Sequence, residues 1–336
     1  MKPILISLIL VGLAFNGTLA RQTDNATTNK GPTSKEFVPG SIRVEGEVES
    51  PLTVGLQQLP LRSFSVREVE FDSGGKPRFK GAYAYTGYSL YDILSPVKID
   101  KKNKKEFTPL LDVYFVVSND KAEKAVFSWG EIFYSRNNFR VLISKSVKSI
   151  NPSKLKTQWP LPGVPRLICA DDLYNARSID NPSKITVKSF GGTVPVGPKE
   201  DMYSATVTVV SEQGTTTIDQ IEPSIHPRGF TYSGYGHGMG NKGVSTIEGY
   251  PLREVFPMKA PNNILRGGLA VVSAKDGYRS VFSVSEIWNR NDMNDILLVD
   301  RKDSKSDGRY TLFIPSDFFV DRDVKAVNKI EIVNAR

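Results

Sequence analysis

One stretch of the chain occurs twice, and this repetition limits the possible folds more than any other feature of the sequence. Residues 116–143 and 271–298 both read Val-Val-Ser, then seven residues, then Val-Phe-Ser-x-x-Glu-Ile, then an apolar triplet. The offset between the copies stays at 155 positions without a gap. We therefore expect the two copies to form the same unit of structure.

Each copy predicts a strand, a short helix and a second strand. The Val-Val-Ser run is β-branched and apolar, which favours a buried strand. Ser128 and Glu131, like Ser283 and Glu286, have the spacing of a capping box. In that motif the Ser oxygen accepts from the backbone N–H three residues on, while the Glu side chain reaches back to the Ser N–H. A helix is thus predicted to begin at Ser128 and at Ser283.

Matches on both sides of this stretch extend the repeats. Residues 41–189 are predicted to form the first repeat and residues 203–335 the second, joined by a Pro- and Gly-rich linker at 190–202. Two repeats of this size are expected to be domains and not units of a solenoid. An Asp and an Arg five residues later recur in both and predict a structural salt bridge. These residues are Asp172, Arg177, Asp317 and Arg322.

The N-terminal residues predict export. Residues 1–20 combine Lys2, an apolar run and a small-residue end, which is typical of a secretory signal peptide. Residues 21–40 are polar and are predicted to form a disordered leader. No later segment is apolar enough to span a membrane, so we expect a secreted or periplasmic protein. A single cysteine excludes an internal disulfide framework.

The net charge of +8 is spread along the chain, with one concentration of lysines. A solvated loop is one interpretation of that concentration, and a contact with a polyanion or a cell surface is the other. Without a nucleic-acid motif in an exported protein, nucleic acid is not expected as a partner. The lysines concerned are Lys98, Lys101, Lys102, Lys104 and Lys105.

Several motifs together resemble the molybdopterin-binding domain of the sulfite-oxidase-like oxidoreductases. Gly87-Tyr88-Ser89-Leu90 and Gly249-Tyr250-Pro251-Leu252 are similar to the family's Gly-x-x-Leu helix start. Asp276-Gly277-Tyr278 is similar to its turn, and Pro165-Arg166-Leu167-Ile168 and Lys184-Ile185-Thr186-Val187 to its last strands. The resemblance implies an α+β fold of two tandem domains from an internal duplication, with molybdopterin as the possible cofactor.

The chain departs from this family at the metal ligand. The family's ligand is a cysteine thiolate before the Gly-x-x-Leu element, and neither residues 69–81 nor residues 231–243 contain cysteine. Cys169 is in a later strand and aligns with Ile314, so we predict a buried structural thiol. The resemblance of fold therefore does not by itself imply the family's redox activity.

The glycine-rich residues 232–243 lie at the position where the family would carry its cysteine metal ligand. One interpretation is a small anionic ligand, such as a pterin or a nucleotide, cradled by backbone N–H groups. A second is copper, bound by His237 and Met239, although a third ligand cannot be named. The third is a flexible surface loop without a ligand. The candidate cofactor-binding residues are Tyr232, Tyr235, His237, Arg228 and Lys242.

Familiar catalytic patterns are missing from the sequence. The chain has two histidines and no Gly-x-Ser-x-Gly elbow, and neither a Walker motif nor a dinucleotide motif occurs in its required context. No catalytic residue is therefore predicted. We expect an exported, non-catalytic binding or interaction protein, whose partner is a small anionic ligand or a protein. The alternatives are a molybdopterin-dependent oxidoreductase without the usual cysteine and a periplasmic copper-binding protein.

Overall fold

A computed structural model describes residues 33–154, 158–197, 203–258, 261–302 and 308–335. By spatial contact these residues belong to one compact unit. The predicted signal peptide and most of the predicted leader lie outside the described residues. No helix in the described ranges is long and apolar enough to cross a membrane.

The chain is built mainly of strands. The strands of the first half are β1 Ser34–Glu36, β2 Ile42–Gly46, β3 Leu52–Val54, β4 Arg62–Phe71, β5 Pro77–Ser89, β6 Val113–Ser118, β7 Lys124–Ser128, β8 Val141–Ser149, β9 Arg166–Cys169, β10 Ile179–Asp180 and β11 Lys184–Ser189. Those of the second half are β12 Val207–Ser211, β13 Gly214–Ile218, β14 Arg228–Gly236, β15 Gly240–Pro251, β16 Gly268–Ala274, β17 Arg279–Ser283, β18 Leu297–Asp300, β19 Tyr310–Phe313 and β20 Val327–Asn334.

The helices are short. They are α1 Leu90–Leu94, α2 Trp129–Phe133, α3 Leu252–Val255, α4 Asn262–Gly267 and α5 Val284–Trp288, with single 3₁₀ turns at Leu56–Gln58, Leu110–Asp112, Asn175–Arg177 and Val320–Arg322. The fold is thus mixed but mostly β, with less helix than the expected α+β class suggests.

The strands form four sheets with the same order in both halves. One five-stranded sheet runs β3-β2-β11-β6-β7 and the other β13-β12-β20-β16-β17. In each, the central strand is parallel to one neighbour and antiparallel to the other. A six-stranded sheet runs β10-β9-β8-β5-β4, with β1 on β8, and a four-stranded sheet runs β14-β15-β18-β19. The order β4-β5-β8-β9 therefore matches β14-β15-β18-β19.

The Val-Val-Ser runs form strands that are buried on both faces. Every residue of β6 and of β16 is buried, as the uninterrupted apolar run predicts. One face of each strand packs into the core of its own half. The opposite faces form an apolar layer shared by the two five-stranded sheets. This layer contains Tyr114, Val116, Val126, Phe190, Leu269, Val271 and Val281.

Both predicted helix starts are confirmed. Ser128 Oγ accepts from the N–H of Glu131 at 3.0 Å, and Ser283 Oγ accepts from the N–H of Glu286 at 3.1 Å. The second part of the predicted capping box is wrong, because the two Glu side chains point across to the other half. Glu131 accepts from Ser283 Oγ at 3.0 Å and Glu286 accepts from Ser128 Oγ at 2.7 Å.

Backbone hydrogen bonds join the halves in matching pairs around these helices. The N–H of Phe318 donates to the carbonyl of Tyr134, and the N–H of Leu173 donates to that of Asn289. These four residues occupy equivalent positions in the two repeats. The halves are thus interlocked, and the boundary at residues 190–202 stays a prediction.

Two other expectations are corrected. The predicted leader includes Ser34–Glu36, which pair antiparallel with β8 and are therefore ordered. In the lysine-rich segment, Lys101 is not solvated, because its ammonium is buried against the Asp112 carboxylate and the Pro109 carbonyl. Lys98 and Lys104 are exposed, as a solvated loop requires.

Candidate functional site

The glycine-rich residues 232–243 form a β-hairpin and not the predicted loop. Strand β14 pairs with β15 from Arg228 opposite Gly249 to Gly236 opposite Gly240, with a β-bulge at Gly234. Gly240 and Gly243 have φ values of +70° and +82°, a conformation that glycine adopts without strain. Glycine therefore serves the turn and the bulge of a hairpin here.

One face of this hairpin borders a cavity of about 450 Å³. The opposite wall is the 3₁₀ turn Val320–Arg322 and the residues that follow it, and the floor is β19. This volume is in the range of small-molecule sites, which is about 300–1,000 Å³. The polar residues around the cavity are Tyr232, Lys242, Ser245, Asp276, Tyr278, Arg301, Thr311, Asp321, Asp323 and Lys325.

Two polar side chains line the interior of the cavity. Thr311 is only 3% exposed, and its hydroxyl has no hydrogen-bond partner among the described residues. Asp323 accepts from the backbone N–H of Ile314 at 3.1 Å. Burial raises the pKa of the Asp323 carboxyl well above its usual range, while the Lys242 ammonium acts in the opposite direction. The lining thus includes a carboxyl that lacks full solvation, whereas the Thr311 hydroxyl is buried behind the surface of the cavity.

Two phenols frame the cavity. The hydroxyl of Tyr278 donates to the backbone carbonyl of Asp321, and its N–H donates to Asp276 at 2.9 Å. Tyr232 packs against Phe313 with ring centroids 4.7 Å apart. Burial raises the pKa of both phenols, so both stay neutral and serve as ring surfaces and hydrogen-bonding groups.

The structure brings only part of the predicted ligand set to this cavity. Tyr232 and Lys242 line it. Tyr235 and His237 are in a neighbouring aromatic cluster, where Tyr235 lies 5.7 Å from Phe318 and His237 lies 5.0 Å from Phe319, centroid to centroid. The backbone N–H of His237 donates to Asp321 at 2.7 Å, so this residue borders the wall of the cavity.

Arg228 does not belong to the site. It is at the opposite end of β14 from the turn, where its guanidinium forms ion pairs with Asp295 and, at 2.8 Å, with Glu254. Arg62 forms the equivalent pair with Asp92 in the first half, at 3.0 Å. Arg228 therefore lies away from the cavity, and its contacts in the structure are ion pairs within its own half.

The copper prediction gains no third ligand. The imidazole of His237 stacks on Tyr134 with centroids 6.4 Å apart, and Met239 is 85% exposed at the turn. Across the described ranges, no three His, Cys, Asp or Glu side chains group as a metal site. Copper binding at His237 and Met239 stays a prediction that no contact in the structure supports.

Cys169 does not fit the role of a molybdenum ligand. The thiol is buried in the apolar core of the first half. Burial raises its pKa well above the ordinary value, and the Arg177 guanidinium donates to the sulfur at 3.2 Å. A metal ligand must be an accessible thiolate, and this sulfur is neither accessible nor readily ionised. The prediction of a structural cysteine matches this environment.

Three residues that line the cavity were not predicted from the sequence: Thr311, Asp323 and Tyr278. The motif Asp276-Gly277-Tyr278 was a sequence signal for Tyr278, but we interpreted it only as a feature of the fold. Thr311 and Asp323 carry no local signal, because their importance depends on the folding of β19 and the 3₁₀ turn around the hairpin.

Comparisons with known proteins identify no family. No protein-family model matches the chain, and no curated protein matches its sequence. Among solved structures, the chain is similar to the sulfane dehydrogenase SoxCD from Paracoccus pantotrophus. The two share 10% sequence identity and a TM-score of 0.31, over 88% of this chain and 78% of that chain. A likeness this remote supports no conclusion about function.

Proposed function

We propose that this protein is a non-catalytic binding protein that holds a small anionic molecule in the cavity beside the β14–β15 hairpin. The observation that carries this proposal is a cavity of about 450 Å³ whose lining combines the Lys242 ammonium with the side chains of Tyr232 and Tyr278. A cavity of this volume is large enough for a small molecule.

The charge near the cavity entrance suits an anionic group. Lys242 lines the site and has no ion pair with a described residue, so its ammonium is available to a ligand. Tyr232 and Tyr278 offer ring surfaces, which bind flat molecules at low entropic cost. No described side chain in the cavity forms a pair of nucleophile and base, which favours binding over catalysis.

The wider proposal concerns origin and location. The matching strand orders of the two halves support an internal duplication, and the sequence motifs support descent from a molybdopterin-binding fold that has lost its metal ligand. Residues 1–20 support export, to the periplasm or beyond the cell. The environment of Cys169 makes this thiol unsuitable as a replacement ligand, so the alternative is a molybdopterin oxidoreductase that uses no cysteine ligand.

The test is titration calorimetry with three small anions: benzoate, orthophosphate and AMP. We expect at least one to bind saturably at one site and to bind tenfold or more weakly to Lys242→Ala. Ser245→Tyr places a ring in the cavity and should abolish the binding. Ser65→Tyr makes the same change at an exposed position of the other hairpin and should leave it intact. Equal binding by the wild type and Ser245→Tyr would overturn the proposal.

A further inference from the structure

The cavity corresponds to a region of the first half that is filled. In the β4–β5 hairpin Arg62 lies opposite Gly87, and in the β14–β15 hairpin Arg228 lies opposite Gly249. The pairing of each hairpin also shifts in register about six residues after this Arg, between Glu68 and Val69 in β4 and between Ser233 and Tyr235 in β14. The two hairpins can therefore be compared residue by residue from these anchors.

Two buried phenol rings of the first half have small counterparts at the cavity. Tyr83 and Tyr85 are both 0% exposed, and the Tyr83 hydroxyl donates to the carbonyl of Pro160 at 2.8 Å. Counted from the paired Arg and Gly of each hairpin, the counterpart of Tyr83 is Ser245, which lies opposite Tyr232. The counterpart of Tyr85 is Ile247. Tyr232 takes the place of Val66 on the facing strand, so this face of the second hairpin carries one ring fewer than that of the first.

A buried ion pair of the first half is also missing. Arg166 Nη1 donates to Glu68 at 3.1 Å, and the Tyr85 hydroxyl donates to the same carboxylate. The counterpart of Arg166 is Thr311. Arg166 precedes Leu167, which pairs with β8, and Thr311 precedes Leu312, which pairs with the equivalent strand β18. The counterpart of Glu68 is Gly234. The second half thus has neither a guanidinium nor a carboxylate at these two positions.

The second half supplies its own carboxyl at this place. Asp323 lines the cavity and accepts a hydrogen bond from the backbone N–H of Ile314. In the first half the equivalent residue is Ser178, which carries no charge. The cavity therefore has a carboxyl inside and the Lys242 ammonium at its hairpin wall.

We propose that the cavity takes an amphoteric aromatic molecule. Its ring lies against Tyr232, its amino or amidino group donates to Asp323, and its anionic group pairs with Lys242. This inference rests on the proposed function, because it specifies the ligand of the same site. A ligand with a cationic and an anionic group on one ring would take the place of side chains in the first half. These are a tyrosine ring, the Arg166 guanidinium and the Glu68 carboxylate.

The experiment compares three probes of one shape by titration calorimetry: benzoate, benzamidine and 4-amidinobenzoate. We expect 4-amidinobenzoate to bind the wild type at least tenfold more tightly than either of the others. In Asp323→Asn its affinity should fall at least tenfold, whereas the affinity for benzoate should not fall. In Lys242→Ala its affinity should fall to that of benzamidine.

Two controls separate this inference from the proposed function. Ser245→Tyr should abolish binding of all three probes, and Ser65→Tyr should bind them like the wild type. If benzoate and 4-amidinobenzoate bind equally and Ser245→Tyr loses both, the cavity is a ligand site but the amphoteric inference is wrong. If none of the three probes, orthophosphate or AMP binds saturably, both proposals are overturned.

Discussion

The Oγ of Ser128 donates a 2.7 Å hydrogen bond to Glu286, a residue 158 positions further along the chain. Ser283 makes the mirrored contact with Glu131 at 3.0 Å. Each hydroxyl also accepts the N–H that caps its own helix. Helix capping and the association of the two halves are therefore the same interaction, and a change at either serine affects both.

This double role predicts an unusually large cost for Ser128→Ala. Loss of a cap costs about 1 kcal/mol, and the loss of a hydrogen bond to the buried Glu286 carboxylate adds about 1–3 kcal/mol. We expect the free energy of unfolding to fall by about 2–4 kcal/mol, measured by urea denaturation.

Ser89→Ala is the matched control for this measurement. Ser89 caps α1 by accepting from the N–H of Asp92 at 3.0 Å, and its hydroxyl donates to the Asp92 side chain within the same half. Because the Asp92 carboxylate keeps its ion pair with Arg62 when the hydroxyl is lost, we expect a smaller loss, of about 1–2 kcal/mol. Equal losses for the two variants would show that the contact between the halves contributes nothing to stability.

The buried arginines predict a second stability effect. Arg322 is 1% exposed and contacts Asp317 at 2.6 Å and Glu286 at 2.6 Å. Arg322→Met leaves two buried carboxylates without their cation, which should cost about 3–5 kcal/mol. Arg43→Met removes an exposed pair with Glu45 and should cost less than about 1 kcal/mol. Urea denaturation of both variants tests this difference, and similar losses would contradict it.

Local patterns predicted the repeated elements well but not how they meet. The strand β6 and the caps at Ser128 and Ser283 follow from short stretches of sequence. The role of the Glu131 side chain cannot be predicted in this way. The spacing between Ser128 and Glu131 is the same whether the Glu completes a capping box or contacts the other half. The glycine-rich hairpin was misread because glycine is depleted in strands, whereas here it serves a bulge and a turn. The cavity depends on differences between the halves, which no single motif expresses.

The environment of Cys169 predicts low reactivity in the native state. The thiol is 7% exposed, and burial raises its pKa, so the reactive thiolate is scarce. We expect Ellman's reagent to label the native protein at least a hundredfold more slowly than the protein in 6 M guanidinium chloride. Comparable labelling rates in the two states would contradict the structural role of this cysteine.

The carboxyl of Asp323 predicts a change of stability with pH. Its pKa is raised in the folded state, so above about pH 4 the unfolded chain loses this proton before the folded protein does. The folded state then binds more protons, and this group's contribution to stability falls as the pH rises toward the folded pKa. Each unit by which the folded pKa exceeds the unfolded value is worth about 1.4 kcal/mol.

Asp323→Asn removes this titration. We expect the variant to gain stability relative to the wild type as the pH is raised from 4 to 7, measured by urea denaturation at each pH. Asp100→Asn removes a carboxylate from an exposed pair with Lys104 and should change stability by less than about 0.5 kcal/mol. A difference between Asp323→Asn and the wild type that stays constant from pH 4 to 7 would mean that Asp323 ionises as easily in the folded protein as in the unfolded chain. The Asp323 carboxyl would then be ionised before the ligand binds, and binding of 4-amidinobenzoate would release no proton from it.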